Sequence, residues 1–325
     1  MRLVLHIGAT KTGSSAFQRH CAAEAPALRE AGLLYPDVGL AAGAHHLVAA
    51  AMHPTARGLH KAFFSSMDRS GPELLHQMAG EIIGAADRAG AEHILLSSEY
   101  LWGRFSDVFY EEWIAAFHGL DVEVVAIIRR QDEWAQSAYL QGVKNGLAEP
   151  FADWWARRSA QPPFGAQFDE VLRPWAERLG ADAVTVLTYD DVVERGDAVR
   201  ALLAALEIDD LPLAAGAPRV VNPSPAAGVV ELLRTTNASS LPDAAKADIR
   251  RIVLKSGEHR PVGAPIDIIP NDEKLALLDE AKRANAYILQ TFMRDGREKL
   301  FSKPWPAAKA SAQPVTSFAL RSRRS

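Results

Sequence analysis

Cysteine is almost absent: Cys21 is the only one in 325 residues. A single thiol cannot close an internal disulfide or build a multi-thiolate metal site, so disulfide scaffolds, zinc ribbons and iron–sulfur clusters are excluded together. Charge of one sign is also lacking, with 36 Lys and Arg against 40 Asp and Glu and a net charge of −4. No global field draws nucleic acid or an anionic membrane, and any anion site must be local. Long apolar runs are missing too. The best candidate, Gly39 to Met52, is short for a membrane span and contains His45 and His46. The apolar start, Leu3 to Ile7, is too short for a signal-peptide core and has no small-residue cleavage site behind it, so the expected location is the cytoplasm. What remains is an ordinary globular composition, 48% hydrophobic and 23% charged, in which a buried interior does the stabilising.

Leu3 to Ile7 is a continuous apolar run that stops at Gly8, the pattern of a strand buried on both faces. Similar runs recur at His93–Ser98, Val122–Ile128 and Val184–Tyr189, separated by helical stretches. The first helical stretch starts at Ser14, carries Phe17, Cys21 and Leu28, and stops at Gly32. This alternation predicts an α/β fold with a mostly parallel central sheet and flanking helices. Beyond Leu211 the strand signal disappears, and Ala226–Thr235, Ala244–Ser256 and Asp272–Met293 read as amphipathic helices. Asn222-Pro223-Ser224-Pro225 and Pro261-Val262-Gly263-Ala264-Pro265 are turn-rich connections too short to be linkers. The expectation is one composite domain over residues 1–302, an α/β core to about residue 210 with a C-terminal helical extension, followed by a disordered tail over 303–325.

The loop Gly8-Ala9-Thr10-Lys11-Thr12-Gly13-Ser14-Ser15 joins the first strand to the first helix, where backbone N–H groups converge on an anion. Its glycines have the spacing of a nucleotide-triphosphate loop, G-x-x-x-x-G-K-[ST], but Ser14 stands in the lysine position and the ammonium is Lys11, inside the loop. That departure weakens a triphosphate reading and leaves a phosphate cradle of another kind. The plainer alternative is a glycine turn with serines capping a helix. A second anion site is marked by Arg129-Arg130, which end the strongest buried strand and so face the crevice where such sheets bind ligands. Ser137, about two helical turns further on, can face the same oxyanion.

Lys11-Thr12-Gly13-Ser14-Ser15 resembles the 5′-phosphosulfate loop of the sulfotransferase superfamily, which has the form K-[ST]-G-[ST]-[ST] after the first strand. The eight-residue step from Arg129 to Ser137 is similar to that family's 3′-phosphate site and selects Arg129 over Arg130. Thr188-Tyr189-Asp190-Asp191 looks like the family's Y-E-D segment, whose tyrosine packs on adenine, although Tyr189 reads equally well as a core tyrosine. The Asp272–Phe301 stretch, with Asn285 in its middle, looks like the closing segment of bacterial members. The resemblance implies a P-loop-like architecture and a transferase that uses 3′-phosphoadenosine-5′-phosphosulfate (PAPS) as donor, with no metal. It implies a hydroxyl-bearing small molecule or glycan as acceptor, a carbohydrate or cell-envelope molecule among them. Lys11 through Ser15, Arg129, Ser137 and Tyr189 would bind the donor.

Sulfuryl transfer also needs a base for the acceptor's proton. Glu99 ends the strand at Leu95-Leu96-Ser97-Ser98, on the rim where such sites form, and is the first choice; a capping or Arg-paired carboxylate is the alternative. His45 and His46 resemble a paired histidine after the first helix of bacterial members, and either could serve as base or acceptor ligand. Adjacent histidines do not share a helix face, so metal binding is the weaker idea. The alternatives to a sulfotransferase are a P-loop nucleotide kinase or NTPase, or a non-catalytic nucleotide-binding protein.

Overall fold

The computed structural model describes residues 1–9, 11–52, 71–159, 167–196, 198–207, 227–257 and 267–307. The turn-rich segments at 222–225 and 261–265, Thr10 of the glycine loop, and the tail over 308–325 lie outside the described residues. The fold is α/β. Strands β1 (Arg2–His6), β2 (Leu33–Leu34), β3 (His93–Ser97), β4 (Asp121–Ile128) and β5 (Val184–Thr188) form a parallel sheet in the order β2-β3-β1-β4-β5.

Side chains alternate into two apolar layers. Leu3, Leu5, Ile94, Leu96, Val124, Ala126 and Ile128 face one, whereas Val4, Leu95, Val125 and Ile127 face the other, so both sheet faces are covered. The second layer is closed by α1 (Ser14–Ala23), α2 (Ala25–Glu30) and, after a return from β5, α9 (Tyr189–Glu194) and α10 (Ala198–Ala205). The first is closed by α3 (His46–Met52), α4 (Pro72–Ala89), α5 (Asp107–Ala116), α6 (Gln131–Lys144), α7 (Phe151–Ser159) and α8 (Asp169–Leu179). The extension consists of α11 (Ala227–Ala238), α12 (Asp243–Gly257), α13 (Asn271–Glu280) and α14 (Lys282–Phe292). Within it α11 and α13 pack on α6, and α14 packs on α8, so the extension buttresses the helix that follows β4.

Three local outcomes differ from the sequence reading. The helix expected from Ser14 to Gly32 is two, because Pro26 lacks the N–H that would continue the ladder, and the chain starts a new helix around it. The strand expected to reach Tyr189 stops at Thr188, where a capping box intervenes: Thr188 Oγ1 accepts from Asp191 N at 3.2 Å while Thr188 N donates to Asp191 Oδ2 at 2.9 Å. Tyr189 therefore begins a helix at the sheet rim. The third concerns the start of the expected tail. Arg130 Nη1 donates to the carbonyl oxygens of Lys303 and Pro304 at 3.3 and 2.9 Å, and Asn271 Nδ2 donates to Ala307 O at 3.0 Å, so residues 303–307 are strapped onto the body.

Candidate active site

β1 lies at the centre of the sheet, and the chain leaves it first toward β3 and β2 and later toward β4 and β5. Such a switch in direction opens a crevice at the carboxyl ends of the strands, where open α/β sheets bind ligands. Four adjacent strands deliver the sequence candidates to that rim: Glu99 after β3, the glycine loop after β1, Arg129 after β4 and Tyr189 after β5.

The loop is built from the inside by Thr12 and Ser14, both buried. Thr12 Oγ1 donates to Ala9 O at 2.6 Å and lies 3.3 Å from Ser14 Oγ. Lys11 takes a left-handed backbone conformation, φ 69°, which disfavours any side chain, and Gly13 follows at φ 94° as the N-cap of α1. Among the described residues no side chain caps that N-terminus. Ser15 is exposed at the start of the helix. Thus Lys11, Gly13 and Ser15 form the outward side of the loop, whereas Thr12 and Ser14, both assigned to the donor by the resemblance, turn their hydroxyls to its inward side.

Gly8 is the close approach that lets the loop sit this low. A Cβ built there would stand 2.2 Å from Ser14 Oγ and 3.2 Å from His6 Cε1. Gly8→Ala is expected to lower stability by about 1–3 kcal/mol through overpacking, read as a lower urea midpoint, and Ser14→Ala in the same chain should recover part of it. An unchanged midpoint for Gly8→Ala would show that the loop has slack.

Beneath the loop a polar network joins β1, β3 and α1. Ser97 Oγ is bonded to His6 Nδ1 at 2.8 Å and accepts from Gln18 Nε2 at 3.1 Å. Burial pushes the His6 imidazole down to about 3, so it stays neutral. His45 is tied to the end of β3: its backbone N donates to Ser97 O at 2.8 Å and its Nδ1 accepts from Ser97 N at 3.1 Å. Its Nε2 then carries the hydrogen, which goes to Pro36 O at 2.8 Å. Both ring nitrogens are engaged, and burial brings the group down to about 4. That geometry corrects the expectation of a base or ligand at His45, because neither nitrogen is left for an acceptor. His46 Nδ1 is bonded to Ser98 Oγ at 2.9 Å and its ring lies 4.4 Å from that of Tyr100, so it braces the short 3-10 turn Glu99–Leu101.

Glu99 opens that turn. Burial raises its carboxyl to about 6, while the positive charge of Lys11 opposes the rise. Lys11 is lowered first by burial and then by Lys144, with Glu99 pulling it back up and Arg129 adding to the decrease. Lys11 and Glu99 are therefore close enough for each to shift the other's proton affinity. Lys11 Nζ also donates to Gln141 Oε1 at 3.1 Å.

Arg129 holds the rim together. Its Nη1 donates to Lys11 O at 3.5 Å, its Nε to Glu133 Oε2 at 3.3 Å, and its guanidinium lies 4.6 Å from the centre of the Tyr189 ring. Arg130 points elsewhere, into a buried two-bond pair with Asp132 at 2.7 and 2.9 Å. Ser137 lies four residues from both Glu133 and Gln141, hence on the face of α6 that holds Arg129 at one end and Lys11 at the other. Glu133 carries a second cation: burial alone would raise its carboxyl, but the Lys303 hydrogen bond at 2.6 Å and the Arg129 charge outweigh that and leave it below the usual range. The acids after Tyr189 anchor the segment that leads into the strap, Asp190 accepting from Ser302 Oγ at 3.1 Å and Asp191 receiving two bonds from Arg297 at 3.2 and 3.1 Å.

Gln141, Glu133, Lys144 and Lys303 were not singled out from the sequence. Extending the step from Arg129 to Ser137 by one helical turn would have reached Gln141. Among the described residues no three His, Cys, Asp or Glu side chains converge as metal ligands, and no helix is long and apolar enough to cross a membrane.

No family model matches the chain, and no curated protein matches it. Among solved structures the chain is similar to a sulfotransferase from Alicyclobacillus acidocaldarius, with 13% sequence identity and a TM-score of 0.44 over 81% of this chain and 97% of that one. At that identity and score the likeness bears on neither the site nor its chemistry.

Proposed function

We propose that the chain is a sulfotransferase that moves a sulfuryl group from PAPS to a hydroxyl acceptor, a small molecule or glycan. What supports the reading is one observation: Glu99, the Lys11 loop, Arg129 and Tyr189 stand at the carboxyl ends of four adjacent strands, with Arg129 contacting both the Lys11 carbonyl and the Tyr189 ring. The residues suit a nucleoside that carries a phosphate–sulfate anhydride on its 5′ side and a phosphate on its 3′ side. The uncapped start of α1, with Lys11 and Ser15, would take the 5′ end, and Arg129 with Ser137 the 3′-phosphate, beside Tyr189 for the base.

PAPS, when bound, supplies a sulfuryl group activated by its bond to phosphate, so the acceptor oxygen gains sulfur as the 5′-phosphate departs and adenosine 3′,5′-bisphosphate (PAP) is left. Glu99 takes the proton that the acceptor hydroxyl loses. Near neutral pH it is mostly ionised, yet its raised proton affinity makes it a stronger base than an ordinary carboxylate. Lys11 stabilises the charge that grows on the departing oxygen. The floor of buried His6, Ser97 and Gln18 fixes the ends of β1 and β3 against each other, which keeps Lys11 and Glu99 in register.

The test is calorimetric titration without magnesium. PAP is expected to bind more tightly than 5′-AMP by about 2–5 kcal/mol, the penalty for leaving a charged partner unpaired, and Arg129→Ala should erase that difference. Tighter binding of ATP in the presence of magnesium than of PAP would favour a kinase or NTPase and overturn the proposal.

A further inference from the structure

One half-buried cation beside the loop has no task in the chemistry above. Lys144 is the last residue of α6, three residues past Gln141 and so on the same helix face. The Lys11–Gln141 hydrogen bond at 3.1 Å fixes that turn of α6 against the loop. Among the described residues Lys144 makes no hydrogen bond and no ion pair. Burial lowers its proton affinity, and its charge lowers that of Lys11 in turn. An unpaired, partly dehydrated ammonium whose charge also weighs on Lys11 is unfavourable unless an anion joins it.

Position along the helix says which anion. At about 1.5 Å per residue, Glu133 and Gln141 stand roughly 12 Å apart along the axis, and Lys144 lies about 4.5 Å beyond Gln141. Glu133 holds Arg129, and Gln141 holds Lys11. A donor gripped by Arg129 and Lys11 occupies the stretch between them, with its sulfuryl group at the Lys11 end. In-line transfer needs the attacking hydroxyl on the side of sulfur opposite the departing phosphate, which is the side beyond Lys11. Lys144 stands on that side. The donor's own anionic groups are already matched by Lys11, the start of α1 and Arg129.

We propose that Lys144 is a specificity-determining residue that binds an anionic group on the acceptor, so that the substrate class is a hydroxyl compound bearing a carboxylate or a comparable anion near the accepting oxygen. The proposal rests on the sulfotransferase reading. Its test uses the full chain and two probes, p-nitrophenyl β-D-glucuronide and p-nitrophenyl β-D-glucoside, which differ only in a carboxylate against a hydroxymethyl group. PAP is titrated first, and failure to bind it overturns both readings.

With PAP bound, the wild-type chain is expected to bind the glucuronide at least about 10-fold more tightly than the glucoside, as a charge-assisted hydrogen bond allows. Its kcat/KM for sulfation should favour the glucuronide in the same direction. Lys144→Met keeps the apolar stem and removes the charge, so the ratio should fall to about one with PAP affinity unchanged, whereas Lys144→Arg should retain it. Equal binding of the two probes, binding of neither, or a preference that survives Lys144→Met overturns this proposal while leaving the sulfotransferase reading intact. Loss of PAP affinity in Lys144→Met overturns it as well, by assigning the lysine to the donor.

Discussion

If the chain transfers a sulfuryl group as proposed, Lys11→Ala is expected to lower kcat by about 10²–10³-fold while changing PAP affinity far less, because the charge that Lys11 would meet is largest when the sulfur–oxygen bond is breaking. The surroundings hold the ammonium in place. Gln141 holds it at 3.1 Å, and Arg129, at the end of the neighbouring strand β4, braces the Lys11 carbonyl at 3.5 Å. The backbone under it is in the left-handed region, a conformation that a chain accepts for a lysine only where the neighbours over-determine it. Lys11→Gly separates the two contributions. It relieves the backbone and removes the ammonium, so it should be no less stable than the wild-type chain yet as slow as Lys11→Ala. Single-turnover kinetics with saturating PAPS would measure the chemical step directly. A parallel loss of PAP affinity and turnover would mean that Lys11 only binds the nucleotide.

How much of this was legible in the sequence differs by element. The buried strands showed themselves because residues that face two apolar layers cannot alternate with polar ones: Leu3 to Leu5 and Val124 to Ile128 are apolar throughout. β2 did not, since two residues are too few to carry a period. The end of β5 was misread for a different reason. Thr188 and Asp191 form a capping signal three residues apart, and it competes with the apolar run before it. The rim positions of Glu99, the loop and Arg129 followed from the strand ends alone. The inward turn of the Thr12 and Ser14 hydroxyls did not follow, because it depends on Gly8 leaving room for Ser14 from the other side of the loop. His45 gave the least warning. Nothing local says that its ring will bond Ser97, which is 52 residues away. The strap at 303–307 was hidden in the same way: its composition is that of a tail, and what holds it is Arg130, 173 residues earlier.

Glu99→Gln is expected to cut turnover by about 10²-fold or more and to leave PAP binding in place, since the amide keeps the shape and the hydrogen bonds but cannot accept the proton. The pH profile carries the sharper form of this expectation. A base acts in its ionised form, so kcat/KM should climb with pH through about 6, the value to which burial raises Glu99, and level off above it. Glu99→Gln should lack that limb. His46, the remaining histidine at the turn, braces the residues around Glu99 through Ser98 and Tyr100, so His46→Ala should cost less activity and keep the limb. If His46→Ala abolishes the limb while Glu99→Gln retains it, the base is the histidine. The pair also predicts a coupling. Lys11 holds the Glu99 carboxyl down against the effect of burial, so in Lys11→Ala the residual activity should show its acid limb at higher pH than the wild-type chain does. A limb that stays put would mean that the two groups do not share the site, and the assignment of both would fall together.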